Sequence, residues 1–249
     1  MWLSLEALRS NTMNEQVVEF FSKAPWTLNF KEQEFPTFNN DHELVNWLIY
    51  KSGLPYMPLM LPNAPYADML EEALALEDLF IPHRSRGSPG WKSICLHGEE
   101  WNKTDYYTAY AENAGKQADE IAYRWTEIAN RCPVTTQYFK EEFPNHNYQR
   151  LRYMWLDPQG YIEPHQDRTT HMLSPINVAL NNPDGCIFRM KDRGDVPFSN
   201  AGNACLVDIG NIHSVWNNST KPRIHIISHG TPTSTFSKIV ADSFRELIK

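Results

Sequence analysis

The sequence predicts a mainly β fold with flanking helices, in which short strands close into a jelly-roll barrel. Three observations support this fold class: turns separate short alternating runs after His146, the N-terminal third has helical spacing, and an amphipathic segment ends the chain. A chain of 249 residues can bury a large core, and single β domains of this size are ordinary. We expect a helical region at 1–90 packed on a core at 91–230, followed by a C-terminal helix at 231–249, in a single domain overall.

The composition is that of an acidic protein with few cysteines. The formal charge is −7, the pI is about 5.7 and no basic run is present, which argues against a nucleic-acid partner. The four cysteines form no Cys-x-x-Cys pair, so we interpret them as reduced core thiols. The first residues lack a signal-peptide pattern, and no apolar run reaches the ~18 residues that a membrane span needs. We therefore expect a cytoplasmic protein without a membrane partner, and the sequence leaves its oligomeric state open.

Helices are predicted in the N-terminal region and at the C-terminal end. Residues 14–21 and 41–50 start with Asn or Asp, continue with acids and carry apolar residues at helical spacing. Residues 66–79 are rich in Ala, Leu and Glu, and 234–248 is amphipathic. Between the second and third of these helices, the Pro- and Met-rich segment 53–65 is expected to be an extended connector.

Two more helices are predicted in the middle of the chain. Residues 117–129 place Ile121, Trp125 and Ile128 at positions i, i+4 and i+7, on one face of a helix. Residues 135–142 follow as a shorter helix. We expect both to pack outside the barrel.

A polar loop with clustered cations is expected at 83–90. It contains Arg84 and Arg86, and the simplest interpretation is a solvated loop. The functional interpretation is a loop that faces the substrate, because loops on a rigid scaffold often carry recognition. If the substrate has a carboxylate, Arg84 and Arg86 are the first candidates to bind it.

Strands are predicted wherever the spacing changes to a period of two. In 150–155, Arg150, Arg152 and Met154 alternate with apolar and aromatic residues, as in a two-faced strand, and a Pro-Gln-Gly turn follows. Arg152 would then face the barrel interior and touch substrate or co-substrate, or it would be an ordinary exposed strand charge. Further strands are predicted at 174–180, 186–190, 204–208, 213–217 and 223–228.

A candidate metal site combines two histidines and one carboxylate. His165 and Asp167 are two residues apart, so a strand would point both toward one place, and His213 could add a second imidazole from a distant strand. Such a set suits non-haem Fe(II), because three protein ligands leave positions open for a co-substrate and oxygen. A His-x-Asp can also arise by accident, and a lone histidine is more often a hydrogen-bonded core or surface residue.

Arg223 strengthens the metal interpretation. It lies ten residues after His213, on the following predicted strand. A guanidinium holds a carboxylate through two parallel hydrogen bonds and stays charged when buried. Arg223 could therefore grip the far carboxylate of a dicarboxylic co-substrate whose other end chelates the metal.

These motifs resemble those of the 2-oxoglutarate- and Fe(II)-dependent oxygenases, which share a double-stranded β-helix core of the cupin-like, jelly-roll type. The chain looks most similar to the aspartyl/asparaginyl β-hydroxylase-like group, which includes proline cis-hydroxylases. The residues that carry this resemblance are Trp91–Gly98, Arg150–Leu156, Gly160–His165, His213–Asn217 and Arg223. The resemblance covers roughly 91–230.

The resemblance implies Fe(II) as cofactor, held by His165, Asp167 and His213, and 2-oxoglutarate and O2 as co-substrates. It implies oxidative decarboxylation to succinate and CO2, with hydroxylation of an unactivated C–H bond. Asn177 and Ser214 could donate hydrogen bonds to the co-substrate that Arg223 binds, although ordinary strand positions explain them equally well. Asp167 stands where the aspartyl/asparaginyl hydroxylases have glycine, and it argues against halogenation.

Three classes of function remain open at the level of the sequence. The first is a 2-oxoglutarate-dependent dioxygenase that hydroxylates a free amino acid-like small molecule or a peptidyl side chain. The second is a cupin-like metalloprotein with non-oxygenase chemistry on another divalent metal. The third is a non-catalytic barrel that binds a ligand or a partner. Arg223 favours the first class over the second, and the intact His-Asp-His set argues against the third.

Overall fold

A computed structural model of the protein describes residues 14–83, 88–104, 115 and 121–249. The described α-helices are α1 (Glu15–Phe21), α2 (Asp41–Tyr50), α3 (Tyr66–Leu74), α4 (Pro133–Glu141) and α5 (Phe236–Ile248). The described strands are β1 (Tyr56–Leu59), β2 (Ile81–Pro82), β3 (Trp91–Gly98), β4 (Arg124–Trp125), β5 (Asn145–Leu156), β6 (Tyr161–His165), β7 (Ile176–Ala179), β8 (Cys186–Met190), β9 (Gly194–Asp195), β10 (Asn203–Val207), β11 (His213–Asn217) and β12 (Arg223–Pro232).

The strands form two antiparallel sheets, and the chain alternates between them. The larger sheet has the order β1-β10-β7-β12-β5-β3-β2, with β4 beside β3, and the smaller one has the order β6-β11-β8-β9. From β5 to β12 the chain crosses from one sheet to the other at each turn, apart from the hairpin β8-β9. This winding defines a jelly-roll, or double-stranded β-helix, and confirms the predicted fold class.

The larger sheet separates a polar interior from an apolar exterior. Along β5, Arg150, Arg152 and Met154 line a cavity between the sheets, whereas Leu151 and Tyr153 belong to the apolar core on the other face. Helix α4 packs on that outer face, where the hydroxyl groups of Thr135 and Tyr153 lie 2.6 Å apart. The alternation predicted for 150–155 therefore decides which side chains of β5, the longest strand, point to the cavity and which point to the core.

The N-terminal helices lie close to their predicted bounds, but the segment between α2 and α3 is not the plain connector that was predicted. Tyr56–Leu59 is a strand that pairs with β10 at the border of the larger sheet, with Tyr56 opposite Val207. The prediction of a plain connector was therefore wrong for these four residues. Tyr56 and Met57 are fully buried and belong to the core.

The helix predicted over 117–129 is wrong in the part that the structure describes. Arg124–Trp125 pairs with β3, and Glu127–Arg131 is a single 3-10 helix. Ile121 and Ile128 are both buried, but Ile121 is on irregular backbone and Ile128 is in the 3-10 helix, so their spacing does not reflect one α-helix. The shorter helix predicted next is confirmed as α4.

Candidate metal centre

The two sheet-forming histidines of the predicted metal site lie opposite each other. His165 ends β6, His213 begins β11, and the two residues are register partners across this antiparallel pair. Their ring centroids are 4.3 Å apart. Gly160 permits the turn into β6, because a Cβ there would lie 2.9 Å from the carbonyl oxygens of both Asp157 and Pro89.

The imidazoles are held by the backbone through their Nδ1 atoms. The Nδ1 of His165 lies 2.8 Å from the Glu163 carbonyl oxygen, and the Nδ1 of His213 lies 2.9 Å from that of Asn211. A carbonyl oxygen can only accept a hydrogen bond, so in each of the two rings the proton lies on Nδ1. The unprotonated Nε2 of each ring is left as a possible metal ligand. The sequence could not name these partners, since both are main-chain oxygens.

Asp167 completes a three-donor cluster. Its Oδ1 lies 3.7 Å from Nε2 of His165, and its Oδ2 lies 3.5 Å from Nε2 of His213. One donor atom from each of the three residues lies within 4.8 Å of the others, and His213 is buried while Asp167 is exposed. Two neutral imidazoles and one carboxylate on one side of a point fit a divalent cation with open positions on the other side.

The cluster borders a cavity of about 340 Å³ between the two sheets. Its apolar wall includes Ile162, Phe188 and Val215 of the smaller sheet. The opposite wall is polar and carries the guanidinium groups of β5 and β12 together with Arg168 from the loop after β6. Helices cover the outer face of the larger sheet, so this interior is where polar ligands can be held.

Arg223 is a buried cation in this wall. Its side chain is 3% exposed, and its Cζ lies 5.8 Å from the ring centroids of both Phe188 and Phe198. No carboxylate of the described residues pairs with it, and its Nε has no hydrogen-bond partner among them. Burial lowers the pKa of Arg223 to about 10, so it remains charged at neutral pH. A buried guanidinium without a carboxylate fits an anionic ligand such as one end of a dicarboxylate.

Asn177 and Ser214, the two predicted hydrogen-bond donors, have different outcomes. Asn177 is buried in the cavity wall beside the β12 cation, and its Oδ1 lies 2.8 Å from Nδ1 of His225. Ser214 points away from the cavity, because it alternates with His213 and Val215, and its Oγ donates to the Ile162 carbonyl at 2.6 Å. Ser214 is therefore not placed to bind a co-substrate in this cavity.

Arg152 lines the cavity and is not an exposed strand charge. It is 6% exposed, and its Nη1 donates to the Thr104 carbonyl at 2.7 Å. Arg150 precedes it by two residues on β5, and His229 lies opposite Arg150 on β12. Burial and then the Arg152 and Arg150 cations lower the pKa of His229 well below its usual range. Arg84 and Arg86 lie outside the described residues.

Some lining residues were missed by sequence reasoning. Trp91 lines the cavity, with its ring centroid 6.1 Å from that of His165 and 4.3 Å from that of His83. The loop cation Arg168 is anchored by Asp208 at 3.5 Å and by the carbonyl of Ser174 at 2.7 Å. Only the alternation of β5 could have pointed to Arg150; the others depend on a register that the sequence does not reveal.

Comparison with known proteins assigns the family. A family model described as aspartyl/asparaginyl beta-hydroxylase matches residues 65–230, two-thirds of the chain. The chain belongs to this family. It is accordingly a 2-oxoglutarate- and Fe(II)-dependent oxygenase of the hydroxylase type, and membership implies Fe(II) and 2-oxoglutarate. The match begins 26 residues upstream of the region at 91–230 on which the sequence resemblance rested, because it includes α3.

Solved structures with the same winding are distant. A Pseudomonas putida prolyl-4-hydroxylase is 13% identical, with 78% of this chain and 100% of that chain covered and a TM-score of 0.40. A prolyl hydroxylase from Trichoplax adhaerens, in complex with a hypoxia inducible factor peptide fragment, is 12% identical, with 80% and 91% covered and a TM-score of 0.41. Similarity at this level adds nothing to the family assignment. No curated protein matches the chain.

Among the helices that the structure describes, none combines the length and the apolar character that crossing a bilayer requires. The longest of them, α5, has 13 residues, whereas a span needs about 20. All four cysteines are buried and none is in a disulfide.

Proposed function

We propose that this oxygenase hydroxylates an unactivated C–H bond of a free amino acid-like small molecule or of a peptidyl side chain, consuming O2 and 2-oxoglutarate and releasing succinate and CO2. One observation carries the proposal: the His165, Asp167 and His213 donors share a cavity with the buried cation Arg223. O2 would be the oxidant, and bound Fe(II) together with the two electrons that 2-oxoglutarate loses on decarboxylation would activate it. The chain itself would bind, orient and shield the reactants.

The metal role is assigned to His165, Asp167 and His213. Their neutral Nε2 atoms and the carboxylate oxygen would hold Fe(II) from one side and leave the cavity side free. Because each Nδ1 proton is tied to a main-chain oxygen, ring rotation away from the metal is opposed.

The co-substrate role is assigned to Arg223, with Asn177 beside it. Arg223 would bind the distal carboxylate of 2-oxoglutarate through charge-assisted hydrogen bonds. The absence of a carboxylate partner among the described residues supports this assignment over a cupin-like metalloprotein, which has no need of a buried cation here.

The substrate role is assigned to the other end of the polar wall. Arg152 pairs across the sheet with Ile227, four residues beyond Arg223 on β12, which corresponds to roughly 13 Å of strand. A five-carbon dicarboxylate held at Arg223 is too short to reach that far. Arg152 is therefore proposed to contact the primary substrate, through a carboxylate if the substrate has one. Arg84 and Arg86 remain further candidates for that contact.

Anaerobic titration tests the metal and co-substrate assignments together. Fe(II) and then 2-oxoglutarate are added to metal-free protein, and the weak visible charge-transfer band of the chelate is recorded. We expect the band in the wild type and its loss in His213→Ala. Tight binding of another divalent metal without any band would favour the cupin-like alternative, and no metal binding would leave a non-catalytic barrel.

A substrate screen tests the reaction. Succinate release is measured with each free amino acid and with a degenerate peptide library, and products are examined for the mass of one added oxygen. Arg223→Met should raise the 2-oxoglutarate concentration required for half-maximal turnover about a hundredfold, since a charge-assisted pair is lost. An unchanged requirement would remove Arg223 from the co-substrate site.

A further inference from the structure

His225 lies beside Arg223 and Asn177, two residues that line the cavity. It is two residues after Arg223 on β12, it is fully buried, and it does not line the cavity. Its Nδ1 lies 2.9 Å from Nη2 of Arg223 and 2.8 Å from Oδ1 of Asn177. A guanidinium can only donate, so we assign Nδ1 as the acceptor of the Arg223 hydrogen bond. The same nitrogen then has no proton to give, and the Asn177 amide lies next to it without sharing that hydrogen bond.

The surroundings of His225 are otherwise apolar. The ring of Phe198 meets it edge to face with centroids 4.6 Å apart. Burial, followed by the nearby Arg223 cation, lowers the pKa of His225 well below its usual range. The ring is therefore neutral, which is required here because a protonated ring would repel the guanidinium.

These contacts give His225 a role beyond packing, which is to order the Arg223 guanidinium. An arginine side chain has several rotatable bonds, and the two phenyl rings around Arg223 offer it no directional contact. The imidazole contact is the only hydrogen bond that the described structure gives to the Arg223 guanidinium. Without it, the guanidinium would have to be ordered at the moment when the carboxylate binds.

We propose that His225 is a positioning residue for the co-substrate: by accepting a hydrogen bond from Arg223, it holds that guanidinium in place for the distal carboxylate of 2-oxoglutarate. The inference rests on the proposed role of Arg223. It predicts that His225 affects recognition of the distal carboxylate and leaves the metal-chelating end of the co-substrate unaffected.

Two oxo acids separate these effects. 2-Oxoglutarate and 2-oxobutyrate chelate a metal alike, but only the former has a distal carboxylate. Calorimetric titration into Mn(II)-loaded protein without oxygen gives both affinities, and their ratio measures recognition of that carboxylate. His225→Phe should lower the ratio about tenfold or more, because a hydrogen bond to a charged group is lost. His225→Asn, which retains a polar atom near the position of Nδ1, should restore most of it.

The controls separate positioning from general damage. Ser228→Ala changes a buried residue of β12 outside the cavity, and it should leave the ratio unchanged. Should His225→Phe fail to fold, His225→Leu removes the same acceptor with a smaller side chain and should also lower the ratio. Equal weakening of both oxo acids in these variants would overturn the positioning role. A wild-type ratio near one would instead overturn the proposed role of Arg223 itself.

Discussion

At the level of single residues, the proposed metal ligand Asp167 can be replaced without disturbing the core. Its side chain is exposed just after β6. We expect Asp167→Ala to weaken Mn(II) binding at least tenfold while the free energy of unfolding changes by less than about 0.5 kcal/mol. Mn(II) titration by electron paramagnetic resonance and urea unfolding would measure the two effects.

The exposed acid Asp184 provides the control for that experiment. Asp184→Ala should leave both the Mn(II) affinity and the unfolding free energy at their wild-type values. Retention of wild-type affinity in Asp167→Ala would exclude this carboxylate from the metal site.

Residue types and spacing were sufficient to predict that His165, Asp167 and His213 meet at a cavity that Arg223 also lines, but not the contacts that support these residues. Alternation placed Arg150 and Arg152 correctly on one face of β5, and applied to His213 it excludes Ser214 from the cavity. It does not explain Asp167, because β6 ends at His165 and Asp167 lies two residues beyond the strand. The packing of Phe198 against His225 joins distant segments of the chain, and such contacts cannot be read from local spacing.

At the level of elements, helix α4 is capped by a side chain from another helix. Its N-cap, Cys132, makes no capping hydrogen bond. Glu72 of α3 instead accepts hydrogen bonds from the backbone amides of Val134 and Thr135, at 2.7 and 2.9 Å, and from the Thr135 hydroxyl. A carboxylate in this position also interacts favourably with the helix dipole.

We therefore expect Glu72→Ala to lower the free energy of unfolding by about 1–2 kcal/mol in urea denaturation. The adjacent exposed acid gives a matched control, and Glu71→Ala should be neutral. If both variants were equally stable, the cap would make no net contribution.

The hairpin β8-β9 depends on a buried ion pair. Arg189 and Asp195 form a two-point contact at 2.6 and 2.9 Å, and Arg189 also donates to the Lys23 carbonyl, which ties the N-terminal segment to the smaller sheet. Asp195→Ala should cost about 3–5 kcal/mol of unfolding free energy, because it leaves a buried cation without its partner.

The double variant Arg189→Met with Asp195→Leu should recover much of that loss, because neither buried charge remains. The exposed pair Lys238–Asp242 serves as a reference, and Asp242→Ala should give no measurable change. A loss in Asp195→Ala no larger than that of Asp242→Ala would show that the buried pair contributes little.

The elements that sequence reasoning misjudged are those fixed by long-range contacts. The strand β1 contains a proline and follows Gly53, so local propensity indicates a connector, yet β10 recruits it from almost 150 residues away. Residues 121–129 have helical spacing, but Trp125 pairs with β3 instead. The helices with clear caps, α1 and α2, were predictable because their signals are local.

At the level of the whole molecule, buried histidines predict sensitivity to acid. Burial lowers the pKa of His97 to about 4, and the pKa values of His225 and His229 also lie well below the usual value. Since the unfolded chain binds these protons near pH 6.5 and the folded chain does not, stability is complete above that pH and falls below it. Between pH 7 and pH 5, the depressed pKa of His97 should cost about 2 kcal/mol of unfolding free energy.

Urea unfolding at several pH values would measure this dependence. His97→Phe should reduce the slope between pH 7 and pH 5 by about one proton, since His97 lies against the rings of Trp125 and Tyr148 and a phenyl ring can replace it. The exposed His146 provides the comparison, and His146→Ala should keep the wild-type slope. A stability curve flat across this range would contradict the burial of neutral histidines.

Several properties of the whole molecule stay predictions. The division at 90 and 230 is one, since β1 and β2 of the N-terminal region are part of the larger sheet. The cytoplasmic location is another, and fractionation of the cells that make the protein would test it. The four buried thiols without disulfides are compatible with a reducing compartment.

The placement of β1 has a consequence for the order in which the protein can mature during synthesis. This strand emerges early, but its partner β10 follows almost 150 residues later, and α5, which packs on β1, is made later still. On the ribosome, β1 must therefore wait with its backbone unpaired while the barrel strands are translated. Translation pauses or chaperones that act while residues 60 to 200 are being synthesised would thus affect the yield of active enzyme more than those that act after α5 has emerged.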